Sequence, residues 1–192
     1  MAVAGDVSLS RSFTLTAPTT PVTVTFDFDT GVPALSLSMS TPFDQSSGGV
    51  TAHFSSPSDP AAFSLQNQAT TGFNLPGFTG KYLYQNQVAR TYLDITFSQT
   101  ITNITITFSA VEYHDPFGQP SPIKVTAYLN ATTSTPVGTA TANGSVTSGT
   151  YPVGTLTFDS GGQAFNIVRI ELPFLAQGAT AYLVDNVVIR TK

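Results

Sequence analysis

Cysteine and tryptophan are both absent from this sequence, and charged residues are scarce. Without cysteine there is no disulfide, no thiolate metal site and no cysteine nucleophile. Without tryptophan, any aromatic platform must come from the 7 tyrosines or the 14 phenylalanines. Charged side chains make up 9% of the chain, against roughly 25% in an average soluble domain. Disorder requires low hydrophobicity with high net charge, and a chain that is 41% apolar with net charge −4 has neither. Arg11, Arg90, Arg169, Arg190, Lys81, Lys124 and Lys192 are scattered singly. No basic patch is available to neutralise phosphates, which excludes nucleic acid as a partner and disfavours anionic membrane surfaces. No apolar run approaches the roughly 20 residues a membrane helix needs, so no membrane insertion is expected.

The 192 residues suffice for one domain, read as 1–192, and the apolar fraction suffices for its core. Ser, Thr, Asn and Gln must supply the polar surface, a habit of extracellular β-proteins. The composition therefore points to a secreted or cell-surface protein whose leader was removed before this sequence begins.

The signal that recurs along the chain is alternation with period 2. Val22, Val24, Phe26 and Phe28 alternate with Thr23, Thr25, Asp27 and Asp29. The same pattern marks Leu93–Phe97, Ile104–Phe108, Ile123–Leu129 and Val168–Leu172. Each run has one apolar and one polar face, as in strands packed on one side. Further strands are expected near 7–15, 35–39, 49–54, 62–65, 136–142, 153–158 and 180–190. Thirteen prolines and fifteen glycines punctuate the chain, and no dozen residues keep helical apolar spacing. Residues 41–80, rich in Ser, Gly, Pro and Gln, read as long connections with one or two short strands, and 115–121 as a loop. So many short strands imply two packed sheets or a barrel, and the chain is read as an all-β, two-sheet antiparallel β-sandwich.

The order of segments in the second half resembles a known group. After Leu93-Asp-Ile-Thr-Phe97 and Ile104-Thr-Ile-Thr-Phe108 come Lys124-Val-Thr-Ala-Tyr128, Val137-Gly-Thr-Ala-Thr141 and Gly154-Thr-Leu-Thr-Phe158. Ile167-Val-Arg-Ile-Glu171 and Tyr182-Leu-Val-Asp-Asn-Val-Val-Ile189 close the chain. This resembles the galactose-binding-like jelly-roll domains of secreted bacterial proteins, among them many carbohydrate-binding modules. The resemblance covers about the last hundred residues, with an echo at Phe26-Asp-Phe-Asp29. It implies a jelly-roll topology and a structural calcium near neighbouring first and last strands.

Candidate site residues fall into three groups. By parity Asp185 shares a face with Leu183, Val187 and Ile189, and an inward carboxylate is costly unless paired or bound to a cation. Asp27 and Asp29 share a face of an early strand, and with Asp185 they form the candidate metal set; carboxylate and carbonyl oxygens suit calcium. The alternative is that Asp185 bonds backbone amides while Asp27 and Asp29 are solvated. Glu112 and His114 share a face at a strand end, where acid–base chemistry or a metal would be possible, although a polar rim there is ordinary. Tyr82, Tyr84, Tyr92, Tyr113 and Tyr128, beside Gln85, Asn86 and Gln87, have the composition of a sugar site: rings that stack on C–H faces and amides that direct hydrogen bonds. Tyrosine also packs well on sheets with no ligand at all.

The sequence contains no Gly-x-Ser-x-Gly elbow, phosphate-cradling glycine loop or metal-spaced histidine set. The reading is a non-catalytic extracellular domain binding a neutral polysaccharide through Tyr82, Tyr84, Asn86, Tyr92, Tyr113 and His114. The alternatives are a structural or adhesive surface domain without a small ligand and a hydrolase on a jelly-roll frame.

Overall fold

A computed structural model describes residues 20–86, 91–111, 122–145, 149–173 and 181–192. Among these, eleven strands follow in order: β1 (Thr23–Phe26), β2 (Phe43–Ser47), β3 (Val50–Ser55), β4 (Phe63–Asn67), β5 (Lys81–Gln85) and β6 (Leu93–Val111). β7 (Pro122–Tyr128), β8 (Gly138–Asn143), β9 (Val153–Asp159), β10 (Phe165–Glu171) and β11 (Ala181–Thr191) complete them. One short helix, α1 (Gln68–Thr71), interrupts the series; the Asn67 side chain caps it and Gly72 ends it in the left-handed region. The expected strand at 7–15 and the loop at 115–121 lie outside the described residues.

The 19-residue strand β6 belongs to two sheets. Its first part, Leu93–Phe97, pairs with β3 on one side and β10 on the other. Its remainder, from Ile101 on, pairs with β11 and β9. The first sheet therefore runs β2-β3-β6-β10-β7-β8. The second runs β9-β6-β11, with β5 and β4 beside one end of β11 and β1 beside the other. All these pairings are antiparallel, and β1, the first described strand, lies against β11, the last. The buried parity of β6 changes between the sheets, from Leu93, Ile95, Phe97 and Ile101 to Ile104, Ile106 and Phe108. A shift of one residue flips every side chain, so this change lets one strand face the same core from both sheets. The result is the expected antiparallel β-sandwich.

The core between the sheets holds the alternating apolar residues read from the sequence, and five phenylalanines concentrate at one end. Phe54 sits 5.1 Å from both Phe28 and Phe43, while Phe26 contacts Phe54 and Phe97 at 6.3 and 6.0 Å. A second, smaller cluster lies on the outer face of the second sheet. There Leu75 and Phe78, from the connection after α1, cover Tyr82 of β5 and Leu183 of β11. That part of the second sheet's outer face is thus covered by its own chain, while Thr155 and Thr157 of β9 stay exposed on it.

Two expectations are corrected. Residues 35–39 are not a strand: the Ser36 hydroxyl accepts hydrogen bonds from the amides of Ser38 and Met39 and bends the segment into a local turn. Leu37 is left 76% exposed. Residues 41–80 carry three strands, β2, β3 and β4, and not one or two. β2 escapes a reading by alternation because Gln45 occupies an inward position beside Phe43. The Gly48-Gly49 turn, with φ of 53° and 79°, joins β2 to β3 as a two-residue hairpin.

The Tyr182 hydroxyl, buried between the sheets, donates to the Ile170 carbonyl at 2.8 Å and accepts from the Leu93 amide at 3.1 Å. It bolts β11 of the second sheet to β6 and β10 of the first. Tyr182→Phe leaves both backbone groups without this partner and should cost about 1–3 kcal/mol in urea unfolding, with little change in the m-value.

Candidate functional site

Asp185 is fully buried, but not on the face its parity predicts. Asn186 adopts φ 46°, and between Asp185 and Val188 two residues of β11, Asn186 and Val187, oppose one of β6, Ile106. This bulge puts Val184 and Val187 into the main core and leaves Leu183 in the outer cluster. Asp185 therefore shares the outer face with Leu183 and not that of Val187 and Ile189. Asparagine tolerates the left-handed backbone, and its own side-chain amide donates to Asp185 Oδ2 at 2.9 Å. The backbone amides of Thr79 and Asn186 donate to the same carboxylate at 2.9 and 2.8 Å.

Asp27 and Asp29 lie at the same end of the molecule, just beyond β1. The Asp29 carboxylate accepts from the Lys81 amide at 2.8 Å, and the Lys81 ammonium donates to the Asp29 carbonyl at 3.1 Å. Gly80 is required between them: it sits at φ 57°, and a Cβ there would collide with the Asp29 carboxylate. Asp27 accepts from the Asp29 amide and from the buried Gln45 side chain, whose Oε1 has no hydrogen-bond partner. The donor chemistry suits a hard cation, with carboxylates and an orphaned amide oxygen. Among the described residues, however, no three His, Cys, Asp or Glu side chains form a preformed metal group.

Burial pushes the Asp185 carboxyl up to about 7; the Thr79 and Asn186 amides pull it down, and nearby Asp29 and Asp27 push it further up.

The proposed sugar-binding residues do not form one site. The Tyr82 ring is buried against Phe78, and its hydroxyl pairs with Thr71 at 2.5 Å, so no face is left for stacking. Tyr84, half-buried, packs on Phe73. Asn86 is a structural clamp: its side chain donates to the Ser38 and Ala61 carbonyls and accepts from Ser64. Glu112, Tyr113, His114 and Gln87 lie outside the described residues. Tyr92 is on the other sheet, away from Tyr82 and Tyr84.

Around Tyr92 the structure assembles a group that the sequence does not reveal. Arg169 lies directly across from Asp94 in the β10–β6 register. Its Nε and Nη2 donate to the two Asp94 oxygens, each at 2.8 Å. The guanidinium carbon stands 3.7 Å from the Tyr92 ring centroid, a stacked cation–π contact. The hydrogen bonds to Asp94 raise the Arg169 pKa further, with smaller contributions from Tyr92 and Tyr128. The Arg169 side chain is 20% exposed and that of Asp94 is 7% exposed. Among the described residues, Arg169 Nη1 has no hydrogen-bond partner. Asp94 and Arg169 are 75 residues apart in the chain, so only the register brings them together.

No family model matches this sequence, and no curated protein matches it. Among solved structures, the K2 cleaved adhesin domain of Lys-gingipain is similar over 87% of this chain and 97% of its own, with 11% identity and a TM-score of 0.50. A GH31 CBM32-2 domain bound to GalNAc covers 91% of this chain and 99% of its own, at 14% identity and a TM-score of 0.37. An isomalto-dextranase of Arthrobacter globiformis T6 complexed with panose covers 89% of this chain, which spans 33% of that enzyme, at 17% identity and a TM-score of 0.39. The adhesin likeness is one of fold. It agrees with the sandwich described above. No helix among the described residues is long and apolar enough to cross a membrane.

Because Asp185 holds its proton more tightly when folded, its neutral form favours the native state. That contribution is complete below the unfolded value of about 4 and is lost as pH rises towards about 7. Unfolding free energy should therefore contain a component falling by on the order of 1 kcal/mol per pH unit across that window. Asp185→Asn should remove this component in denaturant titrations at several pH values, whatever it does to the plateau.

Proposed function

We propose that this chain is a non-catalytic, exported recognition domain that holds neutral carbohydrate against the outer face of its first sheet. The observation that carries the reading is the Tyr92–Arg169–Asp94 stack. A partly buried ion pair adds little to stability compared with apolar residues of the same volume, so stability alone is a weak reason to keep one here. What the pair does offer is a fixed donor edge, charge-compensated by Asp94 and seated on an aromatic ring. That combination suits hydroxyl groups, which need directed donors and gain nothing from net charge.

Three of the described carboxylates are already engaged within the fold, which supports binding over hydrolysis. Asp94 is held by Arg169, Glu171 by Lys124 at 3.1 Å, and Asp185 by backbone amides. An adhesive role without a small ligand is the second reading, favoured by the fold likeness to an adhesin domain. Asp27, Asp29 and Asp185, with Gln45 Oε1 nearby, would hold a structural calcium that ties β1 to β11.

Two measurements test these readings. On a glycan array and in affinity electrophoresis, neutral glycans should be retained with little dependence on salt. Arg169→Lys keeps the charge but loses the planar fork, and with Tyr92→Ala it should weaken retention by about tenfold. Retention of no glycan, or of sulfated chains only, would favour the adhesive reading. For the cation, added calcium should raise the melting temperature and a chelator lower it, by mass action on the native state. An unchanged melting temperature in both would reject calcium.

A further inference from the structure

The outer face of the first sheet carries more than the Arg169 group, and strand register fixes how its side chains line up. One row across the strands reads Ser55, Asp94, Arg169, Thr126 and Thr139, from β3 to β8. The next row reads Asp44, His53, Thr96, Ile167 and Tyr128, from β2 to β7. Tyr92 and Tyr128 lie on opposite sides of the Arg169 row along the strand direction. At the other end, Asp44, Thr51, His53, Thr96, Phe97 and Ser98 line a shallow groove of about 260 Å³. There His53 Nδ1 lies 2.6 Å from Asp44 Oδ1, and both side chains are about half exposed or more.

Resting on the carbohydrate reading above, we infer that this face is an elongated track for a neutral polysaccharide crossing the strands. One subsite is formed by Tyr92, Arg169 and Tyr128, and a second by His53, Asp44 and the hydroxyls of Thr96 and Ser98. Length supports a chain over a single sugar. His53 and Tyr128 are three strand spacings apart in one row, about 14 Å, which is longer than one pyranose ring. Charge supports a neutral ligand. Arg169 is compensated by Asp94, Lys124 by Glu171, and His53 stands against Asp44. No free cation is offered to sulfate or uronate along these rows among the described residues.

The chemistry at the two ends differs in a useful way. The Arg169 end combines a ring face with a rigid donor edge and would orient one sugar ring. The groove end offers small hydroxyls, with the Thr51 amide already donating to Ser98 Oγ at 2.9 Å. That end would add affinity through shape and single hydrogen bonds, and only for a ligand long enough to reach it. An extended polypeptide is less well matched, because peptides dock on sheet edges, where unpaired backbone groups are, and these rows lie on a paired face.

The test uses soluble dextran, galactan, xylan and β-glucan, then size-fractionated oligosaccharides of whichever is retained, measured by calorimetry. Affinity should rise with oligosaccharide length and then level off once the track is filled. His53→Ala, at an exposed position, should lower affinity for the long oligosaccharides by at least fivefold and leave the shortest bound fragment unchanged. Tyr92→Ala should weaken short and long fragments alike, with both variants melting like the parent protein. If a glycan binds but length has no effect and His53→Ala is silent, the track is wrong while the carbohydrate reading survives. If none of the four polysaccharides is retained and a polypeptide is bound instead, both are overturned.

Discussion

The structure depends on a single strand having to serve two sheets. β6 pairs with four strands, two along each part, and its buried parity changes where it passes from one sheet to the other. Without that change, either Leu93, Ile95 and Phe97 or Ile104, Ile106 and Phe108 would face solvent. The Tyr182 hydroxyl secures the same junction from the opposite sheet by bonding backbone groups of β6 and β10. A hydroxyl in an apolar core is tolerable only when both its donor and acceptor roles are filled, as here. The register of β10 on β6 follows from this junction, and that register sets Arg169 opposite Asp94.

The outer faces of the two sheets have different fates. On the second, the chain between α1 and β5 folds back, and Leu75 and Phe78 bury Tyr82 and Leu183. Tyr82, between Lys81 and Leu83 in the sequence, thus becomes core. On the first sheet, outward positions hold Thr, Ser, His and paired charges, and parts of them stay open. Asp94, Thr126 and Ile167 on that face are buried, while Asp44 and His53 are open to solvent.

Much of the fold was legible because period 2 is a direct consequence of pleating. The confident alternating runs became β1, both parts of β6, β7 and β10. What was illegible has specific causes. β2 carries a buried glutamine where an apolar residue would have signalled a strand, and residues 35–39 alternate correctly but are bent by Ser36. Counting by twos fails at Asp185 because Asn186 adds a residue to the strand. An Asp-Asn pair inside an otherwise β-branched run is the one local hint of such a bulge. The candidate site fared worse than the fold. Tyr92 stands beside the Arg169 group, but Arg169 and Asp94 are joined only through tertiary register, which no local pattern encodes.

Asp185 and Arg169 are two solutions to burying charge in a chain with little of it. Arg169 is given a carboxylate in bidentate geometry and an aromatic face, so its charge persists with a donor edge left over. Asp185 receives only neutral donors, while the nearest charges, Asp27 and Asp29, repel its ionised form. Neutral donors soften the cost of burial but do not cancel it, which is why the carboxyl sits near 7 and not near 4. A proton or a cation can complete that balance, and the two compete for the same oxygens. The acidic end therefore bears on the joining of β1 to β11, whereas the compensated end has a donor to spare for a ligand. The two charges are thus neutralised in different ways on opposite sheets.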